Sequence, residues 1–313
     1  MNVLVTGVAG FIGSHLAERL LERGSRVVGL DSFDPYYDRA AKEANLAAIR
    51  PRATVVEGDI LDEAALDRAF SAAPIDVVVH LAALAGVRPS LRQPARYQRV
   101  NVEGTALVAE AALRRGARRV VFASSSSVYG DAPGAAVEGD RADAPLSPYA
   151  ASKRGAELVL ASMAHACGLD VVALRYFTVY GPRQRPDMAV RAFARAIDRG
   201  EPLTLFGDGS SRDYTYIDDA VEGTLRAIDA PGAGFRVYNL GSGRPVELSA
   251  LCALLGEALG REPELLRVPA PPGEVRATLA SIEAARRDLG YRPATPIDDG
   301  IRRFVDWYRR EPR

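Results

Sequence analysis

The stretch "VLVTGVAGFIGSHLAERL", Val3 to Leu20, joins a β-branched run to an amphipathic run through Gly7, Gly10 and Gly13. Residues 2–6 read as a strand, and residues 11–24 as a helix closed by Gly24. Each glycine has a separate duty. One permits the tight turn, the next lets backbone approach a pyrophosphate, and the third lets helix pack on strand. The helix N-terminus then faces the phosphates. The spacing is GxxGxxG rather than GxGxxG, so its weight comes from the strand before it and the helix after it. Phe11 and Ile12, at the loop–helix junction, belong to the same candidate site.

Working outward, the same alternation repeats. Strand-like runs at 25–31, 53–59, 75–83, 117–125 and 169–177 are separated by helical runs at 43–50, 62–73, 94–116 and 147–168. Near-continuous apolar strands alternating with helices imply a doubly wound α/β fold, a parallel sheet covered on both faces. Asp31 ends the second strand, where a carboxylate accepts hydrogen bonds from an adenosine ribose. It would repel a 2′-phosphate and no arginine directly follows it, so NAD is favoured over NADP. Ser32 adjoins it. Asp59 and Ile60 end the third strand, where they can flank an adenine, although Asp59 also suits a helix cap.

After Phe177 the rhythm breaks. "TVYGPRQRPDM" is irregular, followed by a helix at 189–199, a short strand near "LTLFGDG", the strand-like "RDYTYID", the strand "FRVYNLG" and a helix near 248–259. The expected division is a cofactor-binding part of residues 1–175 plus about 214–245. A smaller α/β substrate-binding region takes about 176–213 and 246–313. Clefts in such folds lie beyond the carboxyl ends of the strands, where "ASSSSVYG" (123–130) falls.

The 313 residues carry 40 acidic and 40 basic side chains, so no net field favours nucleic acid or an anionic membrane. No apolar run approaches the roughly 20 residues of a membrane span, and the N-terminus shows no signal peptide. Cys167 and Cys252 make neither a disulfide framework nor a metal site. A soluble cytoplasmic protein without metal is expected. Only Lys42 and Lys153 are lysines; every other basic residue is arginine.

Lys153 falls in "SPYAASK", four residues after Tyr149 and so on the same helix face. A phenol with a pKa near 10 is a poor base at neutral pH. An ammonium one turn away, with a positive nicotinamide ring, would stabilise the phenolate. Tyr149 can then remove a hydroxyl proton as hydride leaves the same carbon. Lys42 suggests no comparable role.

With GxxGxxG, Asp31, "HLAA" (80–83), "NVEGT" (101–105), "SSSVYG" and YxxxK in place, the chain resembles the extended short-chain dehydrogenase/reductase family, the nucleotide-sugar epimerases and dehydratases. "RDYTYIDD" (212–219) and "PGEVRAT" (272–278) extend the likeness over nearly the whole chain. The resemblance implies a Rossmann-type fold, tightly held NAD, a nucleoside-diphosphate sugar substrate, UDP and dTDP both being open, and usually a homodimer pairing the helices near 94–116 and 149–167. It adds Leu81, Ala82, Ala83, Asn101 and Tyr176 to the NAD site, and makes Ser125 the bridge between the sugar 4-hydroxyl and Tyr149.

The resemblance also sorts the reaction. The similar dehydratases carry an Asp-Glu pair at the positions of Ser126 and Ser127, and the similar decarboxylases a glutamate at Ser127. A serine cannot replace that acid or base. Hydride return to a rotated keto sugar, epimerisation at C4, is therefore expected. "RYFTVYGPRQRPDM" (175–188) is similar to the uronic-acid branch, which favours UDP-glucuronate as substrate. Ser125, Ser126, Ser127, Thr178 and Arg185 would hold its C6 carboxylate with neutral donors and one cation. Arg88 either lines that cleft or faces solvent. Arg212 would pair with the diphosphate, Thr204 and Phe206 contact uracil, and Glu274 bind the uridine ribose; Phe206 equally suits a core position. "DSFDPYYD" (31–38) shares the likeness without an evident mechanism. A UDP-glucose epimerase, a decarboxylase and a non-catalytic NAD-binding regulator stay open as alternatives.

Overall fold

The computed structural model describes residues 1–131, 134–206, 209–269 and 275–311. Up to Tyr176 the chain runs β1 (Asn2–Thr6), α1 (Phe11–Glu22), β2 (Arg26–Asp31), α2 (Arg39–Leu46), β3 (Thr54–Glu57), α3 (Glu63–Ser71), β4 (Val77–His80), α4 (Val87–Arg92), α5 (Pro94–Gln98), α6 (Gly104–Arg114), β5 (Arg119–Ser125), α7 (Pro148–Cys167) and β6 (Asp170–Tyr176). It continues through β7 (Thr178–Tyr180), α8 (Ala189–Arg199), β8 (Leu203–Phe206), β9 (Ser211–Tyr216), α9 (Ile217–Asp229), β10 (Phe235–Leu240), β11 (Pro245–Glu247), α10 (Leu248–Leu259), β12 (Leu265–Val268), α11 (Glu283–Leu289) and α12 (Ile297–Tyr308).

Seven parallel strands form the central sheet in the order β10-β6-β5-β4-β1-β2-β3. The fold is a Rossmann-type doubly wound α/β sheet. Strand alternation decides which side chain meets which layer. Val3 and Val5 of β1 join α1 and α9 in one core, while Leu4 joins α3, α6 and α7 in the other. Each face is thus sealed by helices, which is why the strands read as unbroken apolar runs. The strand order reverses between β1 and β4, and the crevice opens at that switch point.

The second part is built from two small sheets, β11-β9-β7 and β12-β8, with α8, α10 and α12 around them. β9 leads straight into α9, which packs back on α1 and β5. The strand expected over "RDYTYID" therefore stops at Tyr216. Asp218 and Asp219 occupy the first turn of α9, where the helix dipole favours them.

Two helices differ from expectation. The one expected at 43–50 runs over Arg39–Leu46, because Asp38 caps it by accepting from the Ala40 N–H at 2.8 Å. The one expected unbroken over 94–116 contains a widened π-type turn at Arg99–Glu103. That turn carries Asn101.

Candidate active site

A cleft of about 680 Å³ runs along the carboxyl ends of β1, β2, β4, β5 and β6. Gly7, Gly10 and Gly13 form one end of its floor. Gly7 has φ +72°, and a Cβ there would lie 2.8 Å from the Ala82 nitrogen. A Cβ on Gly13 would lie 2.1 Å from the Gly7 oxygen, so side chains are excluded by backbone on both sides. Gly10 caps α1 with no side chain, which leaves the N–H groups of its first turn, at Phe11 and Ile12, free of a capping side chain and beside the cleft. That is the donor set a pyrophosphate needs.

Asp31 is buried at the far end. Its carboxylate accepts from the Ala9 N–H at 3.0 Å and the Phe33 N–H at 2.8 Å, and Lys42 approaches to 3.6 Å. Lys42 therefore has a place after all: both lysines of the chain line this one cleft. Ser32, Asp59, Ile60, Leu81, Ala82 and Ala83 line it too. Asp59 is not the cap of α3. It turns its own loop by accepting from the Leu61 N–H at 3.0 Å, while Asp62 caps the helix.

Strand alternation divides the four serines. Ser124 donates to Glu157 at 2.5 Å, inside the fold. Ser125 donates to the Ser127 hydroxyl at 3.1 Å and accepts from the Ser127 N–H at 3.2 Å, and it lies near enough to Tyr149 to favour the phenolate. Ser126 and Ser127 open a single 3-10 turn on the cleft wall, with no carboxylic acid between them and Tyr149. Tyr149 and Lys153 both face the cleft, held on α7 by the Ser147 cap, which accepts from the Ala150 N–H at 3.1 Å.

Lys153 donates to the Ala123 carbonyl at 2.8 Å and lies 5.0 Å from the Phe122 ring centroid. Burial lowers its pKa to about 7, against the opposing pull of Glu157. Burial likewise raises the Tyr149 phenol, offset by the Ser125 hydrogen bond and by the charge of Arg185. Arg185 thus adds positive charge on the phenol side of the cleft that Lys153 also lines.

Behind this wall Glu157 is fully buried. It accepts from Arg175 Nε at 2.9 Å and Nη2 at 2.8 Å, and from Arg154 at 2.9 Å. His80 is structural: its ring nitrogens meet the hydroxyls of Thr6 at 2.7 Å and Thr105 at 3.0 Å, and burial drops its pKa to about 3.

Thr178 and Arg185 also line the cleft, as does Tyr176, whose hydroxyl is bound to Thr224 at 2.6 Å. Asn101 departs from its assignment. Its buried amide bonds the Leu84 backbone twice and the Ser152 hydroxyl once, so it shapes the loop after β4 from behind instead of forming the cofactor wall. Arg88 does not reach this cleft either; its guanidinium stacks 4.6 Å from the Phe206 ring centroid. Thr204 points outward, since Leu203 and Leu205 take the buried positions of β8. Arg212 donates to the carbonyls of Ser211 at 2.9 Å and Arg276 at 3.1 Å. Glu274 lies outside the described residues.

Sequence reading missed Lys42, Tyr36, Asp187 and Glu157. The scarcity of lysine was a usable signal for the first. Glu157 follows Lys153 by four residues, and that spacing alone puts it on the same face of α7.

Comparison with known proteins gives a consistent result. The model of the NAD dependent epimerase/dehydratase family matches residues 3–241. A probable UDP-glucuronate 4-epimerase of Rhizobium meliloti is 40% identical, the alignment covering 98% of this chain and 97% of that protein. The crystal structure of UDP-glucuronic acid 4-epimerase from Bacillus cereus, bound to UDP-glucuronic acid and NAD, is 36% identical and superposes with a TM-score of 0.93 over 99% of both chains. The UDP-glucose 4-epimerase of Thermotoga maritima, crystallised with UDP-glucose, gives 35% and 0.88 over 99% of both chains.

Proposed function

The chain belongs to the NAD dependent epimerase/dehydratase family, and on that premise we propose that it inverts C4 of UDP-glucuronate to give UDP-galacturonate. The carrying observation is the wall around Tyr149: Ser125 beside it, Ser126 and Ser127 where an acid would be needed for other outcomes, and Thr178 and Arg185 lining the same cleft.

The cleft fits NAD. Gly7, Gly10 and the first turn of α1 match a pyrophosphate, Asp31 a ribose diol, and Asp59 with Ile60 an adenine edge. When bound, NAD supplies the acceptor and later the donor of the C4 hydride. Tyr149 takes the 4-hydroxyl proton through Ser125 and returns it after the ketone has turned over. Lys153, whose pKa burial lowers to about 7, would hold the cofactor ribose. Ser125, Ser126, Ser127, Thr178 and Arg185 hold the C6 carboxylate out of alignment with the C4 ketone π system. Held there, a β-keto acid does not lose CO2. Residues of the second part, about 176–213 and 246–313, carry the UDP group.

The assay is direct. Pure protein is incubated with UDP-glucuronate and, separately, with UDP-glucose, and the products are read by NMR. UDP-galacturonate as main product is expected. Faster turnover of UDP-glucose, or CO2 with a UDP-pentose, overturns the assignment.

A homodimer through α6 and α7 accompanies this reading. Leu158 is 55% exposed and, with Leu113 and Met163, gives those helices an apolar outer groove. Leu158→Arg should shift the sedimentation coefficient to that of a monomer; an unchanged dimer removes this face from the interface. Among the described residues no helix is long and apolar enough to cross a membrane. The free thiols Cys167 and Cys252 suit a reducing compartment, the cytoplasm.

A further inference from the structure

Arg185 can recognise a carboxylate only if its fork is aimed, and the structure holds it from two sides. Asp187 accepts from Nε at 3.0 Å and from Nη2 at 2.9 Å, the bidentate pairing that fixes a guanidinium plane. The Nη1 edge is left for another anion. The same Asp187 oxygen that takes Nη2 also accepts from the Tyr36 hydroxyl at 3.0 Å, and the Arg185 guanidinium lies 5.3 Å from the Tyr36 ring centroid. Tyr36 therefore touches both members of the pair.

Tyr36 is itself confined. Its loop, between β2 and α2, is tied to α5 by Asp34 and Arg96 at 2.5 Å. Its hydroxyl sits against Gly86, where an added Cβ would lie 2.9 Å away and φ is +104°. The loop after β4 gives room to this hydroxyl at a position unfavourable to any other residue. On its other flank the Arg185 loop is anchored to the cofactor helix, through Arg183 and Glu18 of α1 at 2.5 Å.

We propose that Tyr36 and Asp187 are positioning residues for substrate choice: they aim Arg185 at the sugar carboxylate and so favour a uronate over a neutral sugar. The role rests on the reading of Arg185 as the carboxylate-binding cation. It gives the segment 31–38 a mechanism. The loop that begins at the ribose-binding Asp31 ends by fixing the cation at the opposite end of the cleft.

The test uses NAD-loaded protein carrying Tyr36→Phe or Asp187→Asn. Tyr36→Phe keeps the ring and every charge and removes only the hydroxyl. Dissociation constants for UDP-glucuronate and UDP-glucose are measured by calorimetry, with kcat on UDP-glucuronate and thermal melting alongside. Tyr36→Phe should weaken UDP-glucuronate roughly three- to tenfold, and Asp187→Asn roughly ten- to a hundredfold, from loss of hydrogen bonds to charged groups. UDP-glucose affinity should be unchanged and kcat within about threefold. Equal weakening of both sugars, or no change in either, overturns the proposal. Tighter uronate binding by Asp187→Asn also overturns it, because Asp187 would then compete for the guanidinium instead of aiming it. If wild-type protein itself fails to prefer UDP-glucuronate, the functional assignment fails first, a result visible before any variant is compared.

Discussion

Replacing Glu157 by glutamine tests how far the catalytic wall depends on the ion pair behind it. Glu157 is fully buried and Arg175 nearly so, and they share two hydrogen bonds of 2.8 and 2.9 Å. Glutamine keeps the shape but strands the Arg175 charge in the core. Breaking one side of such a pair costs about 3–5 kcal/mol. For a chain of 313 residues that is a fall in Tm of roughly 5–8 °C. Burial works to raise the Glu157 pKa, but the hydrogen bonds and charge of Arg175 outweigh it and hold the carboxyl below its ordinary value of 4.5. A depressed acid contributes stability above its unfolded pKa and loses it as pH falls through the folded one. The Tm gap between wild type and variant should hold steady above pH 4.5 and close below it. Activity gives a second reading. Glu157 supports the Lys153 ammonium against burial, so its loss lowers a pKa already near 7. The alkaline limb of kcat/KM should move to lower pH. Thermal melts across pH and a pH–rate profile with UDP-glucuronate make the assay. A loss under about 1 kcal/mol would refute the claim of an uncompensated buried charge. A Tm gap that ignores pH would refute its assignment to the carboxylate. The double change Glu157→Leu with Arg175→Met, which removes both charges, should recover most of the lost stability.

Other predictions concern the cleft directly. Tyr149→Phe should retain NAD and cut turnover by about 10²–10⁴-fold; cofactor content after purification and NMR of the product test both halves. Gly13→Ala puts a Cβ 2.1 Å from the Gly7 oxygen, so NAD should be absent from the purified protein even with Tyr149 intact. Full NAD occupancy in that variant would remove the loop from the cofactor site. Ser127→Glu introduces the acid that the wall lacks and should divert UDP-glucuronate toward CO2 and a UDP-pentose. Unaltered epimerisation would show that the serine is not what keeps the carboxylate in place.

The parts legible in the sequence were those written in local periodicity. β1, α1 and the glycine loop follow from residues 2–24 alone, because apolar spacing and φ requirements act over a few residues. That Tyr149 and Lys153 line one cleft was readable because one helix turn brings the two together. Partnerships across the fold were not. Nothing near Asn101 announces that its amide is consumed by Leu84 and Ser152. Nothing near Tyr36 points to Asp187, 151 positions away. The aim of Lys153 at a backbone carbonyl also depends on the end of β5, which its own helix does not specify. Long-range pairings are set by tertiary packing, and they decided where the charges of the site ended up.

Among the described residues, three short connections join the central sheet with its helices to the small three-stranded sheet: Tyr176 through Phe177 to β7, Tyr216 into α9, and Leu240 toward β11. The first passage is pinned by the Phe177 N–H bonding Leu240 at 2.9 Å, and β7 lies in register with β9, Thr178 opposite Tyr214. Three short stitches leave little freedom for a hinge, which needs a few residues able to absorb large dihedral changes. A ketone sugar that must show its other face cannot rely on the walls swinging apart. In the proposed reaction the protein is then the stator, and the sugar that turns inside it is the rotor.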